Sequence, residues 1–362
     1  MKEQTPDISV VTAVYNGEGF LRQTLDSLLC QTEKNFEAII IDDCSTDSTP
    51  EILKEYSEKD GRIRVFRNEQ NMRLANSLNR GTELARGKYI ARLDADDICL
   101  PNRFEKQLAF MESRPDVDLS FCKFFTLREG EILPCSVGRK TDADSVKAMF
   151  LFFCPVLHPG VIVKSSVMKK YKYDPSHTCS EDIDLWIRML CDGVKIEGSG
   201  DYLMLYRIHG GSITANSAEK QKREVILSER YFYSKMLGEM PKRWEEFYIN
   251  SVYFKEKFDR KRLYEFYRYI IRANRKTRAF KKSAVVSGTA EVLAEYNKSE
   301  NLGPFSRLFM LKFGGADFVR CVFERKRRAQ VDIDAAKKTA RSLNFKQTGN
   351  LNGLPIYGSE KE

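Results

Sequence analysis

Ahead of residue 100 the chain alternates short apolar runs with stretches at helical spacing, and this alternation narrows the possible folds most. Ile8-Ser9-Val10-Val11-Thr12-Ala13-Val14 is a nearly continuous apolar run, as in a strand buried on both faces. Phe20, Leu21, Leu25, Leu28 and Leu29 recur at helical spacing and predict a helix from about Gly19 to Gln31. A second buried strand is expected at Phe36–Ile41. Thr49-Pro50 then starts a helix, with the hydroxyl capping and the proline at the first helical position. Ile63–Phe66, Leu74–Ala85 and Lys88–Leu93 continue as strand, helix and strand. The order β-α-β-α-β-α-β predicts an α/β fold. Its sheet is open, mostly parallel and Rossmann-like, with helices on both faces and ligands at the carboxyl ends of the strands.

From about Leu119 to Arg207 the pattern is mixed, with strands near Leu119–Phe125, Val161–Val163 and Leu203–Arg207. A helix follows Ser180 and carries Ile183, Trp186, Ile187 and Leu190 on one face. After about Ala215 the strand signal ends and the chain reads as helical, basic and rich in Tyr and Phe, with a loose tail. The expected division is a catalytic domain over 1–215, a helical basic region over 216–330 and a tail over 331–362. Within the first, 1–100 forms one half and 101–215 the other. At 362 residues and 42% apolar content the chain can bury a large core, so disorder is not the expectation.

The nine cysteines are odd in number and form no C-x-x-C pair, which suits free thiols in a reducing cytoplasm. The first residues run straight into a strand pattern without the apolar core of a signal peptide. The longest apolar stretch, Ala148–Val163, is broken by Pro155, His158 and Pro159 and is too short to span a bilayer. A soluble protein is expected. The net charge is +9, and the window from Lys255 to Lys282, with twelve Lys/Arg against three Asp/Glu, accounts for all of it. That pattern argues for a local basic surface and against a nucleic-acid-binding core.

Four clusters fall at strand ends or at a helix start. After the first strand comes Tyr15-Asn16-Gly17: Tyr15 offers a ring for a planar base, although a turn alone accounts for Asn16-Gly17. After the second comes Asp42-Asp43-Cys44-Ser45-Thr46-Asp47, suited either to hydrogen-bonding a base or ribose or to capping the next helix. After the fourth comes Arg92-Leu93-Asp94-Ala95-Asp96-Asp97. D-x-D has little specificity alone, since the chain contains it five times. Only this copy follows a strong buried strand and adds a third adjacent carboxylate. Three Asp in four positions repel one another unless a cation or solvent screens them, and hard divalent cations take such oxygen ligands. The fourth cluster is Ser180-Glu181-Asp182, where acidic residues either complement a helix dipole or present a general base.

Taken in order, these segments resemble the family 2 glycosyltransferases of the GT-A fold. The resemblance covers about residues 6–215. It rests on I-S-V-V-T-A-V-Y-N at Ile8–Asn16, I-I-D-D-C-S-T-D at Ile40–Asp47, N-R-G-T-E-L-A-R-G-K-Y-I at Asn79–Ile90 and R-L-D-A-D-D at Arg92–Asp97. S-E-D-I-D-L-W at Ser180–Trp186 and Y-R-I-H-G-G-S-I-T at Tyr206–Thr214 complete it.

The resemblance implies that Tyr15 stacks on the nucleobase, Asp43 hydrogen-bonds it, Arg73 contacts base or diphosphate and Asp94 faces the ribose. It implies that Asp96 ligates a divalent metal, Mg²⁺ or Mn²⁺, that His209 is a further metal or phosphate ligand, and that Asp182 is the catalytic base. Glu181, Trp186 and His158 are placed on the acceptor side, with Cys154–Pro159 as the acceptor-side loop. The implied reaction is a single in-line displacement with inversion, from a nucleotide-diphosphate sugar, with UDP preferred, to a saccharide or lipid-linked saccharide in cell-surface glycan synthesis. Two alternatives remain open at this point: a nucleotidyltransferase, and an inactive nucleotide-sugar-binding protein.

The resemblance does not reach residues 216–362. There Tyr264, Phe266, Tyr267, Tyr269, Ile270 and Ile271 sit among basic residues. Either they make peripheral contact with the inner face of a membrane through 255–282, or they pack on the catalytic domain beneath a basic outer face. The second reading is preferred.

Overall fold

The computed structural model describes residues 5–129, 131–134, 141–211, 217–252, 260–286, 288, 350–351 and 354–355. The early elements follow the expected alternation: β1 (Ile8–Val14), α1 (Leu21–Leu29), β2 (Phe36–Asp42), α2 (Thr49–Lys59), β3 (Ile63–Arg67), α3 (Arg73–Leu84) and β4 (Tyr89–Arg92). Then come β5 (Ile98–Cys99), α4 (Arg103–Ser113), β6 (Leu119–Arg128), β7 (Glu131–Pro134), α5 (Ala143–Met149), β8 (Val161–Lys164), α6 (Ser165–Tyr171), α7 (Glu181–Cys191) and β9 (Ile196–Arg207). Three further helices are α8 (Ala218–Leu237), α9 (Lys242–Val252) and α10 (Arg260–Thr277).

One sheet runs in the order β3-β2-β1-β4-β8-β6-β9-β5, with β7 beside β6. Its first four strands are parallel, in register from Ile8↔Phe36 to Val14↔Asp42 and from Ile8↔Tyr89 to Val11↔Arg92. Beyond β4 the sheet is mixed: β8 is antiparallel to β4 and β6, whereas β9 is parallel to β6. The mostly parallel sheet read from the sequence is thus its first half. The chain leaves β1 toward β2 on one side and returns to β4 on the other. The gap between the carboxyl ends of β1 and β4 is therefore the place where an open α/β sheet binds ligands.

Strand alternation sorts the core into two layers. Ile8, Val10, Val14, Ala38 and Ile40 face Leu21, Leu25, Leu28 and Phe104. Val11, Ala13, Ile39 and Ile41 face Leu78, Leu185 and Trp186. That second layer continues without a break into Phe232, Tyr233, Trp244, Phe247, Phe266, Tyr267 and Ile270 of α8, α9 and α10. Phe266, Tyr267 and Ile270 are therefore core residues, not a membrane-inserting face. Arg262, Arg268, Arg272 and Arg275 on α10 stay exposed. The side chain of Tyr264, the Arg325–Arg328 patch and most of the tail lie outside the described residues. No helix among the described residues is long and apolar enough to cross a membrane.

Thr49 differs from the sequence expectation. It is already helical, and its hydroxyl accepts the Gly17 N–H at 2.8 Å. The start of α2 is instead capped by Asp47, whose carboxylate accepts the Thr49 N–H at 3.0 Å. The capping carboxylate frees the hydroxyl to tie the end of β1 to the helix after β2.

Trp186 is fully buried among the residues of the second layer. Trp186→Ala should lower unfolding free energy by about 3–5 kcal/mol, as for other buried Trp or Phe truncations. Chemical denaturation reads this directly, and a loss under about 1 kcal/mol would show that Trp186 is not a core residue.

Candidate active site

The donor end is built from loops stitched across strand ends. Asn16 N–H donates to Ser45 Oγ at 2.9 Å, and Asn16 Oδ1 accepts the Thr46 N–H at 2.8 Å. Beside them Tyr15 projects with 52% of its surface exposed. Asp43 is buried, and its Oδ1 accepts from Asn68 Nδ2 at 2.6 Å and from the Met72 N–H at 2.8 Å. It thereby holds the turn that delivers Arg73 to the start of α3. Cys44 and Arg73 have φ of 67° and 66°, a left-handed backbone unfavourable for residues other than Gly or Asn, and Asn16 at 52° is a residue that tolerates it. Such strain concentrates where a backbone is shaped around a ligand.

The acidic end follows β4. Thr24 Oγ1 on α1 lies 2.8 Å from the Ala95 carbonyl and 2.9 Å from that of Asp97, fixing the turn. Carboxylate oxygens of Asp94, Asp96 and Asp97 lie within 4.8 Å of one another. Each has a different neighbour. Asp94 pairs with the buried guanidinium of Arg92. Asp97 is fully buried and its Oδ1 accepts the Arg207 N–H at 2.8 Å, while Oδ2 has no partner among the described residues. Asp96, the more exposed, meets His209 Nε2 at 2.8 Å. Burial, then the adjacent carboxylates, push the Asp97 pKa well above the ordinary range. Burial also raises Asp94, against the pull of Arg92. A cluster of three carboxylates, made of oxygen donors with one imidazole at its edge, fits a hard divalent cation.

The third part is the start of α7. Asp182 Oδ1 accepts the N–H of Ile183 at 2.8 Å. Burial pushes the Asp182 carboxyl up to about 6. Burial, then the Asp182 charge, pushes Glu181 up to about 8. Two carboxyls set apart in this way are the usual arrangement of an acid–base site. The charge of Arg92 acts on Asp94, Glu181 and Asp182, so one buried cation links the acidic turn to the start of α7.

Tyr15, Asp43, Arg73, Asp94, Asp96, Asp182, Glu181 and His209 all stand at β-strand ends or helix starts around this rim. Two acceptor-side assignments need correction. Trp186 presents no surface, and its ring lies edge-on to His158 at 6.0 Å. His158 is itself buried, with Nε2 2.7 Å from the Tyr173 hydroxyl and Nδ1 3.9 Å from Glu181 Oε1. Burial, then Arg92, hold its pKa well below the usual value, so it is a neutral support behind Glu181.

Sequence reasoning left Arg92, Arg103, Arg207 and Tyr173 without roles. The fully buried Arg103 donates to the Arg92 carbonyl at 2.8 Å and to Gln107 at 3.0 Å. Arg207 reaches the Asp96 carbonyl at 2.8 Å and Gln23 at 2.6 Å. For Arg92 the signal was its place directly before the acidic turn.

The family model described as Glycosyl transferase family 2 matches residues 9–136. An uncharacterized glycosyltransferase of Methanocaldococcus jannaschii is 40% identical over 220 residues, spanning 60% of this chain and 76% of that protein. The chain belongs to glycosyl transferase family 2.

As a glycosyltransferase it is also similar to the Escherichia coli UDP-Glc:alpha-D-GlcNAc-diphosphoundecaprenol beta-1,3-glucosyltransferase WfaP. The two are 31% identical over 217 residues, which is 60% of this chain and 83% of that one. Among solved structures, S. aureus TarS 1-349 in complex with UDP-GlcNAc superimposes with a TM-score of 0.55 at 17% identity, covering 92% of each chain. That likeness concerns the fold alone, and the fold is GT-A type. Family membership sets aside the nucleotidyltransferase alternative.

Proposed function

We propose that this glycosyltransferase moves a sugar, with inversion, from a UDP-sugar to an acceptor hydroxyl in the synthesis of a cell-surface polysaccharide or glycan. The observation that carries the reading is the convergence on one rim of Asp43, the Asp94–Asp97 turn with His209, and Asp182, with Arg92 between the last two. WfaP, named for a UDP-Glc donor and a lipid-linked acceptor, supports the donor and acceptor classes.

In this reading Tyr15 stacks on the base. Asp43 meets it through Oδ2, because Oδ1 is committed to Asn68 and Met72. Arg73 and Asp94 border the diphosphate and ribose. Asp96 and His209 would hold a divalent cation, Mg²⁺ or Mn²⁺, which when bound supplies positive charge for the departing diphosphate. Asp182 takes the acceptor hydroxyl proton at Oδ2, since Oδ1 holds the Ile183 N–H. Glu181, protonated at neutral pH, leaves Asp182 as the ionised member of the pair and donates toward the acceptor. Residues 1–215 are proposed as the catalytic part, 216–330 as a helical basic region and 331–362 as the tail. A cytoplasmic place is proposed, and the exposed arginines of α10 support a position peripheral to an anionic membrane face.

A panel of UDP- and GDP-sugars tests this, each with and without Mn²⁺ or Mg²⁺. At least one UDP-sugar should raise Tm by about 3 °C or more and release UDP, only with metal present. A preference for GDP-sugars would overturn the donor, and metal-independent binding and turnover would overturn the role of Asp96.

A further inference from the structure

Asp182 and Glu181 open α7, so their position depends on what fixes the turn before it. That turn, residues 178–180, is held from α8, beyond the reach of the family model. Glu224 Oε2 accepts the Cys179 N–H at 2.9 Å, the Thr178 N–H at 3.1 Å and the Ser180 hydroxyl at 3.2 Å. Its Oε1 accepts the Thr178 hydroxyl at 3.2 Å. One helical turn earlier, Gln221 Nε2 donates to the Cys179 carbonyl at 2.9 Å.

Ser180 occupies the N-cap position of α7, where a serine hydroxyl ordinarily accepts a backbone N–H of the first turn. Here it makes no such bond. The hydroxyl is turned to Glu224, with His177 Nδ1 a further 3.5 Å neighbour. The capping residue thus gives up its local role to a tie with a distant helix. Glu224 is largely shielded, with 14% of its side chain exposed, and Lys220 Nζ lies 3.9 Å from Oε1. A shielded carboxylate that accepts from two successive backbone amides and two hydroxyls fixes the turn in several directions at once.

We propose that Glu224 is a positioning residue for catalysis, holding the 178–180 turn and through it the place of Asp182, with Gln221 as its second support. This rests on the reading of Asp182 as the base. Glu224 touches neither donor nor acceptor in this account. It makes the helical region part of the catalytic apparatus rather than an attachment to it.

The atoms make the two obvious variants differ. In Glu224→Gln the amide oxygen can keep the Oε2 place and its three donors, while the amide nitrogen donates to the Thr178 hydroxyl. Glu224→Leu keeps the size but accepts nothing. Three measurements on the full chain follow. In Glu224→Leu, hydrogen exchange of the 178–184 amides should quicken by about tenfold or more while α8 stays protected. Unchanged exchange there overturns the clamp without any need for a substrate.

With Mn²⁺ and UDP-glucose or UDP-N-acetylglucosamine as the hydrolysed probe, Glu224→Leu should lower kcat by about 10- to 100-fold and leave KM for the donor within about twofold. Glu224→Gln should stay within about threefold of the parent. A Gln variant as slow as Leu would show that charge rather than the clamp is what matters. Gln221→Ala should give a smaller loss in the same direction, and it stands in if the Leu variant fails to fold. Finally, Glu224→Leu should slow the residual rate of Asp182→Asn by less than twofold, because both act at one point. Additive losses would overturn action through Asp182. Asp182→Asn turning over like the parent, with exchange at 178–184 still quickened, would instead sink the base itself and with it the catalytic meaning of the clamp.

Discussion

Asp182→Asn should bind the nucleotide sugar as the parent does and lower kcat by about 10³-fold, the scale of a lost general base. Asn keeps the size and the bond to the Ile183 N–H but cannot take the acceptor proton. The parent should lose activity as the pH falls through about 6, where burial has placed the Asp182 carboxyl, because the base must be ionised. The contribution of this carboxyl to folding does not offer a rival cause. The carboxyl ionises near its ordinary value of 3.8 in the unfolded chain and near 6 within the fold. Between those values the unfolded chain holds fewer protons, so this group lowers stability as pH rises. Above pH 6 the Asn variant should therefore melt no lower than the parent. The measurements are kcat against pH and a melting curve at pH 8. Transfer retained at the parent rate would remove Asp182 as the base.

The second large effect concerns Asp96. Asp94 is paired with Arg92 and Asp97 is buried with one oxygen on the Arg207 N–H, whereas Asp96 is partly exposed and lies beside His209. Asp96→Ala should therefore abolish the gain in UDP affinity that Mn²⁺ gives the parent, on the order of 100-fold, while leaving affinity in chelator unchanged. Titration calorimetry with and without Mn²⁺ reads both. A variant with the full metal-dependent gain would show that the cation is held elsewhere. His209→Ala should move in the same direction and less far, since one carboxylate remains.

Much of the first hundred residues was legible because a strand buried on both faces leaves a continuous apolar run, as at Ile8–Val14 and Phe36–Asp42. The acidic turn was legible only through its place after such a strand. Strand direction beyond β4 was not, because Val161–Lys164 has the same composition whichever way it runs. Trp186 shows how a motif misleads. It belongs to a segment with functional carboxylates, yet Ile183, Trp186, Ile187 and Leu190 at helical spacing already marked a core face. Arg92 and Arg103 escaped notice because arginine is expected at the surface, and only the fold shows which carbonyls and carboxylates surround it. Glu224 lay beyond sequence reasoning altogether. Its partners are more than forty positions away and include backbone amides, which leave no trace in composition.

The unbroken apolar layer from Val11 and Ile39 to Phe266 and Ile270 bears on how this enzyme comes apart. Chains joined by a thin interface can melt in stages, each part with its own transition. Here the helices after residue 217 complete a layer whose other wall is the sheet itself, so neither can lose its packing without exposing the other. Cooperative loss of both in one step is the physical consequence. Heat or denaturant strong enough to free α10 will also release the strand ends that hold the acidic turn.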